Sequence, residues 1–116
     1  MADEAKRVPA RFYETSRGNE PVREWLKGLE PEARRKIGFD LKELEYGWPV
    51  GMPLCRSLGR GLWELRSSLP DGRMARVMFC MHRAELVLLH GFIKKTQKTP
   101  PQEIELALKR MKGLER

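Results

Sequence analysis

Several things are scarce in this 116-residue sequence, and each scarcity narrows what the chain can be. There are two cysteines, Cys55 and Cys80, with no CxxC pair, and two histidines that are not clustered. That spacing offers no zinc site, so no metal and no disulfide framework is expected. Cys80 sits in an apolar stretch and reads as a buried thiol. No run approaches the roughly 20 apolar residues of a membrane span. The opening MADEAKR leads into no apolar segment, so a signal peptide is not expected and a reducing cytoplasm fits best. Internal repeats and low-complexity tracts are absent.

Acidic residues are also scarce, but only in one half. Residues 1–55 balance ten Lys/Arg against ten Asp/Glu, whereas residues 56–116 carry thirteen against six, so the whole +7 net charge lies in the second half. A basic surface concentrated in this way fits a polyanion or an acidic protein partner, and equally a merely solvated basic face. The length fits one domain over residues 1–116, with enough core to fold without staples.

The periodicity predicts an α+β domain in the order β-α-α-β-β-β-α. Val8–Tyr13 reads as a first strand. Pro21 opens a helix with Val22, Trp25, Leu26 and Leu29 at helical spacing, and Pro31 opens a second with Ala33, Ile37, Leu41 and Leu44 on one face. Two such helices form a hairpin that lays its apolar stripe on a sheet. Residues 47–61, rich in Gly and Pro, read as a loop. Leu62–Ser67, Arg73–His82 and Glu85–Lys94 read as an antiparallel meander, with a turn at Pro70-Asp71-Gly72 and a tight link at Arg83–Ala84. Thr99 and Gln102 have capping-box spacing, with Pro100 at the first position of a last helix.

Residues 56–98 hold nine basic side chains and only three acids, Glu64, Asp71 and Glu85. Alternation sends Arg66 away from Trp63 and Leu65, sets Arg76 opposite Ala75 and Val77, and places His90, Phe92 and Lys94 on one face. Pairing in sequence order then lines Arg66, Arg76 and His90 along one sheet face, with Lys94 and Lys95 at its rim. Arginine binds phosphate bidentately, lysine adds a point charge, and imidazole transfers protons near neutral pH. Those parts suffice for RNA cleavage by 2′-hydroxyl attack without a metal. Each residue alone has a plainer explanation: a strand Arg pairs with a helix carboxylate, a single His makes a structural hydrogen bond, and a Lys run is a surface loop. Trp25, Trp48, Trp63, Met74, Met78 and Met81 read as packing. Spacing alone leaves these alternatives open.

Three blocks carry a resemblance. Gly61-Leu62-Trp63-Glu64-Leu65-Arg66, then Asp71-Gly72-Arg73-Met74-Ala75-Arg76-Val77-Met78-Phe79, then His90-Gly91-Phe92-Ile93-Lys94-Lys95-Thr96-Gln97-Lys98-Thr99-Pro100 resemble, in order and spacing, the HigB or phage Gp49-like branch of the RelE/ParE toxin superfamily. The resemblance implies a RelE-like fold, a twisted antiparallel sheet with two helices on one face and a C-terminal helix. It implies a toxin of a type II toxin–antitoxin module that cuts mRNA on the ribosome, needs no cofactor, and is neutralised by a helix-turn-helix antitoxin. Arg66, Arg76, His90 and Lys94 or Lys95 match the catalytic positions, and Arg60, Arg73, Lys98 and Glu64 complete the set expected at the RNA. The match has departures. Glu64 stands where RelE has a second Lys, and the last Tyr is Tyr46, so the C-terminal Tyr of RelE has no counterpart. Glu64 is then a proton acceptor or a group that orients an Arg. A ParE-like gyrase inhibitor and a non-catalytic phage-derived binding module remain the alternatives on the same fold.

Overall fold

A computed structural model describes residues 7–94 and 98–114. Its elements are β1 (Ala10–Phe12), α1 (Pro21–Lys27), α2 (Pro31–Gly47), β2 (Cys55–Gly59), β3 (Leu62–Ser68), β4 (Met74–His82), β5 (Glu85–Lys94) and α3 (Pro101–Gly113). The five strands form one open sheet in the order β1-β5-β4-β3-β2. Among the described residues no helix is long and apolar enough to cross a membrane.

The sheet separates two apolar layers. On one face the α1–α2 hairpin buries Val22, Ala33, Ile37 and Leu44 against Leu65, Ala75, Val77, Phe79 and Leu86. On the other face α3 lays Ile104, Ala107, Leu108 and Met111 over Leu62, Met78, Val87, Leu89 and Phe92. This two-sided covering explains why β4 and β5 are apolar on both faces. Polar bonds fix the hairpin to the sheet. Asp40 Oδ2 accepts from Ser67 Oγ of β3 at 2.5 Å, and Glu45 Oε2 accepts from the Ala10 amide of β1 at 2.7 Å; within α2, Lys36 Nζ also donates to Asp40 Oδ2 at 2.6 Å. The tryptophans pack as expected. Trp48 meets Trp63 edge-on at 5.0 Å and Phe79 at 5.4 Å. Trp25 lies on Gly91 so closely that a Cβ there would fall 2.4 Å from its ring.

Four expectations are corrected. The segment 47–61 is not wholly a loop, because Cys55–Gly59 adds an edge strand to β3 across a bulge; its glycines and prolines masked a short strand that tertiary pairing stabilises. The sheet is not purely antiparallel, since β1 runs parallel to β5. Two helices carry the chain across the sheet before four antiparallel strands return it to β1 in the same direction as β1. Pro100 is the cap and Pro101 the first residue of α3, and no side chain caps that helix, because proline has no side-chain acceptor; Thr99, one residue earlier, turns its hydroxyl to Glu64. Met81 is exposed rather than packed. The turn at Arg83–Ala84 is as tight as expected, with both residues at positive φ, 51° and 66°, the conformation that matches the twist of a two-residue hairpin.

Candidate functional site

Strand register builds the site in three rows on the face beneath α3. Arg66 pairs with Arg76 and Arg76 with Phe92; Glu64 pairs with Met78 and Met78 with His90; Ser68 pairs with Met74 and Met74 with Lys94. The structure therefore brings Arg66, Arg76, His90 and Lys94 to one sheet face. A bulge sharpens the placement of His90. The β4–β5 register skips Leu89 between Phe79↔Leu88 and Met78↔His90, so Leu89 and His90 both turn toward α3. Bulges re-aim side chains in this way. The Leu89 carbonyl accepts from Arg110 Nη1 at 2.7 Å, as a buried carbonyl must find a donor.

The floor of the site is not simply cationic. Glu64 is fully buried, with 0% exposure, and gathers the surrounding groups. Arg56 Nη2 lies 3.2 Å from its Oε1, Arg66 Nε lies 4.0 Å from the same oxygen, and Thr99 Oγ1 donates to its Oε2 at 2.5 Å. Thr99 Oγ1 also accepts from Arg56 Nη2 at 3.3 Å and from Arg76 Nη1 at 3.4 Å. Glu64 is thus the carboxylate partner of both Arg56 and Arg66. One carboxylate against three guanidiniums leaves positive charge in excess.

The three arginines are not equally placed. Arg76 is completely buried; burial pulls its pKa below the usual value, Glu64 opposes that shift, and Arg66 and Arg56 add to it. Arg66 retains 14% side-chain exposure and Arg56 37%. Arg66 also lines an open groove of about 270 Å³ with Lys36, Ser68 and Met74. Beside this cluster, His90 Nε2 lies 2.5 Å from Glu103 Oε1, and its ring stacks on Phe92 at 5.6 Å between centroids.

The remaining expected residues scatter. Arg60 is exposed at the β2–β3 turn with φ of 59°. Arg73 faces the helical hairpin, where it meets Asp71 at 2.7 Å and Glu30 at 3.1 Å, so it is not part of the cluster. Lys98 is exposed just ahead of α3. Lys95 lies outside the described residues. Sequence reasoning missed Arg56, Thr99 and Glu103. Arg56 was hidden in a segment read as loop. Glu103 left a usable signal: it shares a helical stripe with Ala107 and Arg110, at i, i+4 and i+7, and that stripe faces β5.

Among the described residues no group of three His, Cys, Asp or Glu side chains is placed to hold a metal ion. Arginine pairs and an imidazole–carboxylate couple can bind a phosphodiester and move a proton beside it. A comparison with curated proteins finds no match. The family described as phage derived protein Gp49-like (DUF891) matches residues 24–112, from α1 through nearly all of α3 and so across the whole candidate site. With most of its length inside that match, the chain belongs to the phage-derived Gp49-like family.

Proposed function

We propose that this chain is the toxin of a type II toxin–antitoxin module, of the HigB branch with a RelE-like fold, and that it cleaves mRNA on the ribosome. The observation that carries this reading is the meeting, on one sheet face, of a partly open arginine cluster with a histidine held by a carboxylate.

In the proposed reaction Arg66 and Arg56 hold the phosphate of the scissile link, with Lys94 at the rim. Arg76, buried beneath them, supplies positive potential and positions Thr99. The 2′-oxygen bonds to phosphorus, its proton passes to a base, the bond from phosphorus to the 5′-oxygen breaks, and that oxygen takes a proton. A 2′,3′-cyclic phosphate and a 5′-hydroxyl result. His90 performs one of the two proton transfers through Nδ1, because Glu103 occupies Nε2 and fixes the ring. Such transfers contribute about 10²–10⁴-fold, and fixed guanidiniums stabilise the charge that builds on the phosphorane. The partner that silences the toxin is a helix-turn-helix antitoxin.

The test is an RNA programmed into ribosomes, incubated with purified chain. Cleavage that needs the ribosome and disappears in His90→Ala and Arg66→Ala supports the reading; intact RNA with wild-type chain overturns it. The burial of Arg76 and Glu64 favours one rival, a ParE-like gyrase inhibitor in which the cluster is structural. That rival requires DNA damage with unbroken transcripts.

A further inference from the structure

Helix α2, which covers the sheet face opposite α3, carries a second organised face on its outer side. Its buried stripe is Ala33, Ile37 and Leu44. At 100° per residue, Arg35, Gly38, Phe39, Lys42 and Tyr46 form a stripe directly opposite. All five are exposed, Phe39 at 62% and Tyr46 at 40%. The two aromatics stand two turns apart, about 10.5 Å along the axis. Phe39, Gly38, Arg35, Lys36 and Lys42 line an open groove of about 580 Å³ that contains no carboxylate. Lys36 is paired with Asp40, whereas Arg35 and Lys42 make no ion pair among the described residues. Glu32 and Glu43 border the stripe on its Phe39 side, and Arg35 and Lys42 form its other side.

Among the described residues nothing calls for this arrangement. Glycine is the poorest helix former after proline, yet Gly38 sits in the middle of a 17-residue helix, and a Cβ built there meets nothing within 4 Å. A side chain would fit at this position, so the packing of the described residues does not require glycine there. Holding an apolar phenylalanine ring in water is unfavourable, and two of the four large hydrophobics exposed among the described residues, Phe39 and Tyr46, lie together on this one stripe.

We infer that this α2 face docks an acidic amphipathic helix of another protein. The apolar stripe of that helix packs on Phe39 and Tyr46, its backbone approaches closely at Gly38, and its carboxylates pair with Arg35 and Lys42. Charge complementarity selects the partner: a basic helix is repelled, and so is a second copy of this chain, whose matching face brings the same cations. Helix-in-groove recognition reads anchors at just such spacings. The inference is independent of the RNA-cleaving reading, because binding is measured on the chain whether or not it cuts RNA.

A displayed library of helical peptides tests it, with inward positions varied among Ala, Leu, Ile, Met and Phe and outward positions among Asp, Glu, Lys, Arg and Ser, selected on the full chain. The expected winners are net acidic. Their affinity falls at least tenfold on Phe39→Glu, on Gly38→Leu and on the pair Arg35→Glu with Lys42→Glu, is unchanged by Arg60→Glu, and weakens with salt. Phe39 and Gly38 are exposed, so the variants fold, and circular dichroism verifies it. Gly38→Leu is the decisive variant, since it favours the helix while blocking close approach. The inference is overturned by an absence of enriched peptides, by basic or neutral winners, or by winners indifferent to Phe39→Glu. It is also overturned by self-association of the chain through this face, or by a single-stranded RNA oligomer that binds there through Phe39.

Discussion

The Thr99 hydroxyl donates to Oε2 of Glu64 across 2.5 Å, joining the segment just ahead of α3 to the buried carboxylate of β3. The same carboxylate is the counter-charge for Arg56 and Arg66, and its field also reaches Arg76. Removing one partner of a buried ionic cluster leaves like charges facing each other in a poor solvent, which typically costs about 3–5 kcal/mol. Glu64→Gln keeps the shape and loses the charge, so we expect a loss of that order in denaturant unfolding. An unchanged midpoint contradicts the placement of Glu64 at the centre of the cluster.

Gly91 is the second position where geometry forces an outcome. A methyl group there meets the Trp25 ring at 2.4 Å, and a rigid indole cannot yield as a flexible chain end does. Overpacking of this kind costs about 1–3 kcal/mol. Gly91→Ala is therefore expected to lower stability by that amount, and Trp25→Leu in the same chain is expected to recover part of it. Strict additivity of the two substitutions in a double-mutant cycle argues against the contact.

The contrast between these two positions shows what could be read from residues alone. Alternation put Arg66 and Arg76 on one face because a strand has only two faces. It could not tell that α3 closes over that face and buries Arg76 and Glu64, since that covering is a tertiary fact. The helices were legible because Val22, Trp25, Ile37 and Leu44 recur at helical spacing, and β3 to β5 because their runs are long. β2 was not, because Cys55–Gly59 is stabilised by pairing to β3 rather than by its own sequence. Capping-box spacing from Thr99 put the first helical residue at Pro100, whereas α3 starts one residue later, at Pro101, with the Thr99 hydroxyl on Glu64. His90 gave a clear signal; its partner Glu103 required knowing where α3 lies.

Both thiols carry a pH signature. Burial pushes Cys55 up to about 12, with Asp40 adding to the effect, and pushes Cys80 up to about 11. The folded chain therefore holds these protons more tightly than the unfolded chain, whose thiols titrate near 9.0. Their contribution to stability is fully present below pH 9 and declines as pH rises through 9 toward 11 and 12. Unfolding midpoints measured from pH 8 to pH 10.5 should fall, and Cys55→Ala with Cys80→Ala should flatten that fall. At pH 8 the thiolate of Cys55 is roughly one part in 10⁴, so iodoacetamide labelling in the native state should be slow for both cysteines.

Gly38 offers the opposite sign of effect. An added methyl group enters open space, and alanine is favoured over glycine inside a helix by about 1 kcal/mol. Gly38→Ala should raise the melting temperature by about 4–8 °C, the shift expected of that energy in a domain near this size. A fall in melting temperature shows that Gly38 meets something its open surroundings do not reveal.

The most direct test of the central claim is a map of transcript ends in bacteria expressing the chain, with Arg66→Ala and His90→Ala alongside. Arg66 is itself a partner of the buried Glu64 and His90 of Glu103, so each variant is scored at wild-type abundance of folded protein, verified by immunoblot of the soluble fraction. The account expects growth arrest with new 5′ ends inside coding regions for the wild type, and neither arrest nor new ends for either variant. Arrest with an intact transcript map, or cleavage that persists in both variants, contradicts it.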